Sequence, residues 1–293
     1  MTVRDSSLPE ASAAPGGWAV FIEQVKTIGL GLRREGLALG ALVVVVTVIA
    51  LNDVLEDGAQ LDFPTDASFV LPLMALLAPF AVWKGERLFR GAHLWTLPVD
   101  RQQHALTKML AGGVWMLAAA VGMILWLMLL AVATDGAIFG PHDRLLLTGP
   151  ITDVVQPGQV KTVAWTTPAW QWASLFTGTA IAYLLSSAVV IGLRYPLRWV
   201  AGCVFLLTFL SLAWSEDLFE DLLEMLVMGP VGIDYVLSGG AEGLDVAVRL
   251  ADGQRATAWR AFPTAGPWAL ATGFWFIVSA ALVWLAAWRH RER

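Results

Sequence analysis

Residues 33–90, RREGLALGALVVVVTVIALNDVLEDGAQLDFPTDASFVLPLMALLAPFAVWKGERLFR, run through basic, apolar, acidic, apolar and basic segments in turn. Arg33 and Arg34 precede the apolar run Leu37 to Leu51, and Asp53, Glu56, Asp57, Asp62 and Asp66 follow it with no Lys or Arg between them. Beyond the second run, Phe69 to Trp83, basic residues return as Lys84, Arg87 and Arg90 and continue with Arg101 and Lys108. Two crossings of a bilayer that keeps Lys and Arg on its cytoplasmic side produce this alternation. The chain therefore reads as an all-α integral membrane protein.

The rest of the sequence keeps the same alternation. If the segments before Leu37, at 84–108, at 193–198 and after 288 are cytoplasmic, they hold 14 of the 19 Lys and Arg but only 7 of the 24 Asp and Glu. The formal net charge of −5 thus averages a basic face and an acidic face. Neither face reads as a nucleic-acid site, so no nucleic-acid partner is expected. Composition agrees, with 57% hydrophobic and 15% charged residues, where a soluble domain carries about 25% charged.

A helix needs about 20 residues to cross the hydrocarbon core. Met109 to Ala133, Pro168 to Leu193 and Pro267 to Trp288 meet this without a charged side chain. Three shorter runs complete the charge alternation, their flanking Lys and Arg able to snorkel. Six spans are expected, at about 37–52, 69–83, 109–133, 168–193, 199–214 and 267–288, with both termini inside. Pro72 and Pro79 should kink the second span. Eight tryptophans, Trp83, Trp165, Trp170, Trp172, Trp199, Trp214, Trp268 and Trp288, fall near span edges, where amphipathic rings favour the headgroup zone.

Residues 1–17 lack an apolar period and read as a disordered cytoplasmic tail, with no cleavage pattern to make the first apolar run a signal peptide. Residues 18–35 carry Trp18, Phe21, Ile22, Val25, Ile28 and Leu32 at spacings of three and four. This is an amphipathic helix, either lying in the membrane interface or packed on the rest of the protein. Residues 36–293 form the six-span domain. Its two outer segments, 135–167 and 215–265, suggest a small extracytoplasmic cap with β-hairpins: ITDVV and VKTVAWTT around QPGQ, and LDVAVRL and RATAWRAF around ADGQ. Ser215 can cap a helix carrying Glu216, Asp217, Glu220, Asp221 and Glu224, at the outer interface or on the cap.

Several chemistries lack their residues. There is no Gly-Lys dipeptide, hence no phosphate-cradling loop of that type. His93, His104, His142 and His290 form no metal-binding spacing, and one cysteine, Cys203, makes no intramolecular disulfide. No ionisable residue lies mid-span, which argues against an ion-coupled carrier. No catalytic residue, cofactor site or metal site is assigned on this chain.

The loop at 84–108, KGERLFRGAHLWTLPVDRQQHALTK, is the most loaded cytoplasmic segment: Glu86 follows the span, Leu97-Pro98 breaks the chain, and Asp100 can cap a helix bearing Arg101 and Lys108. A Glu after the second span, a Leu-Pro-x-x-Arg element and a Lys leading into the third resemble the ABC-2 type permeases, the membrane subunits of one class of ATP-driven exporters. The resemblance extends to the interfacial N-terminal helix and the six spans. It implies a bacterial inner-membrane, multi-pass subunit that couples to a separate ABC ATPase, which holds the ATP and Mg, and pairs with a second permease copy or paralogue. Glu86, Leu97, Pro98, Arg101 and Lys108 would shape or anchor the coupling element. Thr177, Thr179, Tyr183, Ser186, Ser187 and Thr208 are polar positions within spans, available to line a pathway or to pack helices. The large outer segments leave room for an extracytoplasmic partner. Two rival readings stand beside this one: a non-transporting membrane anchor or regulatory subunit, and a membrane-embedded lipid enzyme using the acidic set at 216–224.

Overall fold

The computed structural model describes residues 17–57, 67–84, 100–133, 138–139, 141–150, 155–213, 225–227, 229–240, 244–251 and 255–289. Its helices are α1 (Gly17–Gly31), α2 (Arg33–Asp57), α3 (Ala67–Val82), α4 (Arg101–Ala133), α5 (Ala169–Gly192), α6 (Pro196–Ala213), α7 (Ile233–Leu237) and α8 (Ala265–Trp288). The strands are β1 (Pro141–Leu147), β2 (Val160–Thr166), β3 (Asp245–Arg249) and β4 (Arg255–Trp259). Among the described residues, three helices are long and apolar enough to cross a membrane: α4 with 33 residues, α5 with 24 and α8 with 24. Shorter apolar stretches lie at Val70–Val82 in α3 and Pro196–Leu206 in α6.

α5 is the centre of the bundle because its small residues let neighbours close in from several sides. A Cβ on Gly178 would stand 2.9 Å from the Val236 carbonyl oxygen of α7, and one on Gly192 would stand 3.3 Å from Ala286 of α8. At the other end of the same pair, the rings of Trp170 and Trp268 are 6.0 Å apart. α5 and α8 therefore run parallel, packed along their length.

α3 and α4 pack against α5 with alternating direction. Leu71 groups with Ala120, Ile124, Ala131 and Leu175, while Val82 and Trp83 group with Ala105, Met109, Tyr183 and Val190. Hence α3 and α5 run one way and α4 the other. α2 touches this core at Thr47, whose hydroxyl accepts from Trp126 Nε1 at 3.0 Å, and at Glu35, which pairs with Lys84 at the end of α3 at 2.7 Å. α2 thus runs with α4.

Pro79 leaves the Ala75 carbonyl without its helical donor and disturbs that turn. In the same turn, Ser186 Oγ of α5 donates to the Leu76 carbonyl at 2.6 Å.

The amphipathic segment at 18–35 is a helix to Gly31, but Arg33 and Arg34 already belong to α2. α1 packs on α4. Gly29 receives the Trp115 indole, whose Nε1 donates to the Val25 carbonyl at 2.7 Å, and Gln24 lies 3.2 Å from His104 Nδ1. Trp18 and Leu30 stay exposed beside this contact.

The sheet supports one expected hairpin and gives the second strand of the other a partner that the sequence did not mark. β3 and β4 pair antiparallel as expected, from Asp245 with Trp259 to Arg249 with Arg255. Among the described residues β2 pairs with Pro141–Leu147, in register from Pro141 with Thr166 to Leu147 with Val160, and residues 151–154 of the expected ITDVV strand lie outside the described residues. QPGQ is the end of a longer connection, closed by a 3-10 turn at Pro157–Gln159 and by the Thr148 amide donating to the Gln159 carbonyl. Val155, the last residue of ITDVV, forms an isolated parallel bridge with Leu250. β1 then pairs parallel with β4, giving one four-stranded sheet in the order β2, β1, β4, β3.

Candidate functional site at the basic end of the bundle

α4 begins where the sequence supplies a cap. The Asp100 carboxylate accepts from the Gln102 amide at 2.9 Å and from the Gln103 amide at 3.4 Å, and the Asp100 carbonyl accepts from His104. These are the first-turn donors that a helix cannot satisfy internally. No break separates this capped turn from the apolar run. Arg101, Lys108 and the third predicted span belong to one helix, about 50 Å long at 1.5 Å per residue.

Lys108 lies two turns into α4. Its side chain is buried, and its ammonium stands 4.7 Å from the centroid of the Trp83 ring at the end of α3. The ring face is an electrostatic partner that tolerates a dry cation. One residue further, the Met109 carbonyl accepts from the Tyr183 hydroxyl of α5 at 2.7 Å. Three helices therefore converge on Trp83, Lys108 and Tyr183. On the rim, Lys84 pairs with Glu35 and holds its carboxyl below the usual Glu range, first through their hydrogen bond.

Arg101 and Lys108 are thus on one face of α4, near the end of α3 and close to the turn of α4 that meets the middle of α1. Glu86, Leu97 and Pro98 lie outside the described residues. The acidic set at 216–224 and the hairpin turn at 252–254 also lie outside them.

The polar span positions divide in two. Thr179, Tyr183, Ser186 and Ser187 are buried on α5, Thr177 is half-buried, and Thr208 is exposed on α6. Thr177, Thr179 and Thr208 each donate to a carbonyl of their own helix, at Ser174, Leu175 and Val204. Tyr183 and Ser186 donate across to α4 and α3. In the described bundle Tyr183 and Ser186 thus hold helices together.

Sequence reasoning missed α7. Asp234 and Val236 are buried there, Ser238 Oγ donates to the Asp234 carboxylate at 2.5 Å, and Trp275 Nε1 of α8 donates to the Val231 carbonyl at 2.8 Å. Gly239 and Gly240 turn the chain out with φ of 69° and 77°, a region that side chains resist. Because Gly178 is nine residues into α5, α7 sits roughly 14 Å below the sheet end of the bundle. The isolated Asp in an otherwise apolar VGIDYVL was the available signal.

Among the described residues, no three His, Cys, Asp or Glu side chains come together as a metal site would require. No protein-family model, curated protein or solved structure matches the chain.

Proposed function

We propose that the chain is a six-crossing membrane subunit of the ABC-2 permease kind. It works with a separate ATPase that docks at the basic end of the bundle. The observation that carries this reading is the agreement between helix direction and charge. α2 and α4 leave the end that bears Arg33, Arg34, Lys84, Arg101 and Lys108, while α3, α5 and α8 arrive at it. Retention of Lys and Arg in the cytoplasm would place that end inside.

Within this reading Asp100, Arg101 and Lys108 fix the start of α4, so a partner pressing on the preceding loop would push on a helix that runs the length of the bundle. The Lys108 and Trp83 contact would carry the same displacement to α3. The tight approaches at Gly112 and Gly178 favour a translocation path between two copies or paralogues over one through a single copy. The same closed centre also favours the second reading, a non-transporting subunit of a larger complex.

Purification of the tagged protein from its native membrane in mild detergent tests the reading. The expected result is a co-purifying ABC ATPase whose turnover is uncoupled by Arg101→Ala and Glu86→Ala. A stable complex without an ATPase would overturn it. ATP turnover without solute movement would move the non-transporting subunit to first place.

A further inference from the structure

The segments on the acidic side of the charge pattern contain five basic residues, Arg144, Lys161, Arg249, Arg255 and Arg260. Four are in the strands and the fifth directly follows β4. Residues paired in register share a face, and alternate residues lie on opposite faces. The pairs Leu145 with Thr162, Leu147 with Val160, Leu145 with Ala258, and Val248 with Ala256 put the apolar cluster of Leu147, Val155, Val248 and Ala258 on one side. The pairs Arg144 with Val163, Leu146 with Lys161, Leu146 with Trp259, and the place of Arg249 one residue after Val248, put Arg144, Lys161 and Arg249 on the other.

That second face also carries Trp165 and Trp259, 5.3 Å apart edge to face, with the Arg144 guanidinium 5.5 Å from the Trp259 ring. Phe262, in the connection leaving β4, stacks on Trp165 at 5.5 Å. The sheet is tethered closely to the bundle: two residues join β2 to α5, and five join β4 to α8. β2 and β4 run in opposite directions, so these tethers leave from opposite ends of the sheet. They hold it across the starts of α5 and α8, within about 18 Å of chain.

We infer that the face bearing Arg144, Lys161, Trp165 and Arg249, over the buried Trp259, lies on the bilayer surface and binds the phosphates of anionic lipid headgroups. Mixed aromatic and basic side chains suit the headgroup zone, where rings meet the acyl boundary and cations meet phosphate. Lys161 and Arg249 are exposed to serve this role. Each basic residue at an anionic surface contributes on the order of fivefold in affinity. The inference rests on the reading that the helices cross a bilayer.

The test uses the full chain, Cys203→Ser, in vesicles of phosphatidylcholine mixed with phosphatidylglycerol. Single spin labels are placed at Thr257→Cys on the basic face, Thr162→Cys on the opposite face and Ile277→Cys on exposed α8. The Thr257 label should collide with oxygen in the headgroup zone, and the Thr162 label should meet the water-soluble nickel chelate. A deep Ile277 label with an aqueous Thr257 label would overturn the inference while leaving the crossings intact, and would make this a face for a soluble acidic partner. A shallow Ile277 label would overturn the crossings and this inference with them. In the same vesicles, Lys161→Gln with Arg249→Gln should lower the preference for spin-labelled phosphatidylglycerol over phosphatidylcholine several-fold. An unchanged preference would also overturn the headgroup assignment.

Discussion

The Tyr183 hydroxyl reaches across from α5 to the Met109 carbonyl of α4 at 2.7 Å, over a glycine, Gly112, whose Cβ would stand 2.6 Å from that same hydroxyl. The hydrogen bond and the close approach thus depend on one another. Tyr183→Phe should cost about 1 kcal/mol or less, as interhelical hydrogen bonds in membranes do. Gly112→Ala should cost roughly 1–3 kcal/mol, because Val82 also stands 2.8 Å from the added carbon. Gly113→Ala, with its nearest neighbour at 3.5 Å, should be close to neutral. Unfolding of the three variants in mixed detergent micelles orders them, and equal losses at Gly112 and Gly113 would refute the packing.

α7 hangs on a similar glycine. An added Cβ on Gly178 meets the Val236 backbone oxygen at 2.9 Å, and a backbone oxygen cannot swing aside as the end of a side chain can. Gly178→Ala should therefore lift α7 off α5 without unfolding the bundle. Faster amide exchange across 233–240, with α4 unchanged, is the expected signature; unchanged protection of α7 would show that the helix has another anchor.

How much of this was legible follows from the range of the interactions. Apolar runs, the Asp100 cap and the hairpin of β3 and β4 are encoded by residues a few positions apart, and all were readable. β1 was not, because PHDRLLL puts Leu145, Leu146 and Leu147 in succession instead of alternating. Its place depends on Leu145 pairing with Ala258, more than a hundred positions away. The seat of Lys108 on Trp83 and the donation from Ser186 to α3 are likewise products of helix packing. At the candidate site, a helix capped by Asp100 and bearing Arg101 and Lys108 was readable, but its unbroken run into the third span was not.

The cap of α4 makes its own prediction. Asp100→Ala removes an acceptor for two first-turn amides and should cost about 1 kcal/mol, with faster exchange at 102 and 103. Asp100→Asn keeps an acceptor and should retain most of the protection. If both variants behaved alike, the carboxylate would be acting through charge alone.

Glu35 and Lys84 supply a pH dependence. Lys84 holds the Glu35 carboxyl below its ordinary value of 4.5, so the folded form binds its proton less readily than the unfolded chain. The stability this contributes is present above the ordinary value and is lost as pH falls through the depressed folded value. Glu35→Gln should lower the melting temperature slightly near neutrality and converge on the parent in acid. A difference that grew in acid would have the wrong sign and exclude the pair as its source.

The parallel arrangement of α5 and α8 constrains the chain between them. α5 ends at the Gly192 and Ala286 contact, whereas α8 starts beside Trp170 and Trp268 at the opposite end of the bundle. The intervening chain must therefore return the full length. α6, with Leu197, Trp199, Val204, Phe205 and Phe209 exposed, is the apolar element placed at the start of that return, and its 18 residues span about 27 Å. If α5 and α8 both cross a bilayer, residues at the start of α6 and residues just before α8 face opposite compartments. Arg198→Cys and Thr264→Cys, each in a Cys203→Ser background, should then react with an impermeant maleimide from opposite sides of sealed vesicles. Labelling of both from the same side would mean that the end of α5 and the start of α8 do not face each other across a bilayer, and the count of six crossings would fall.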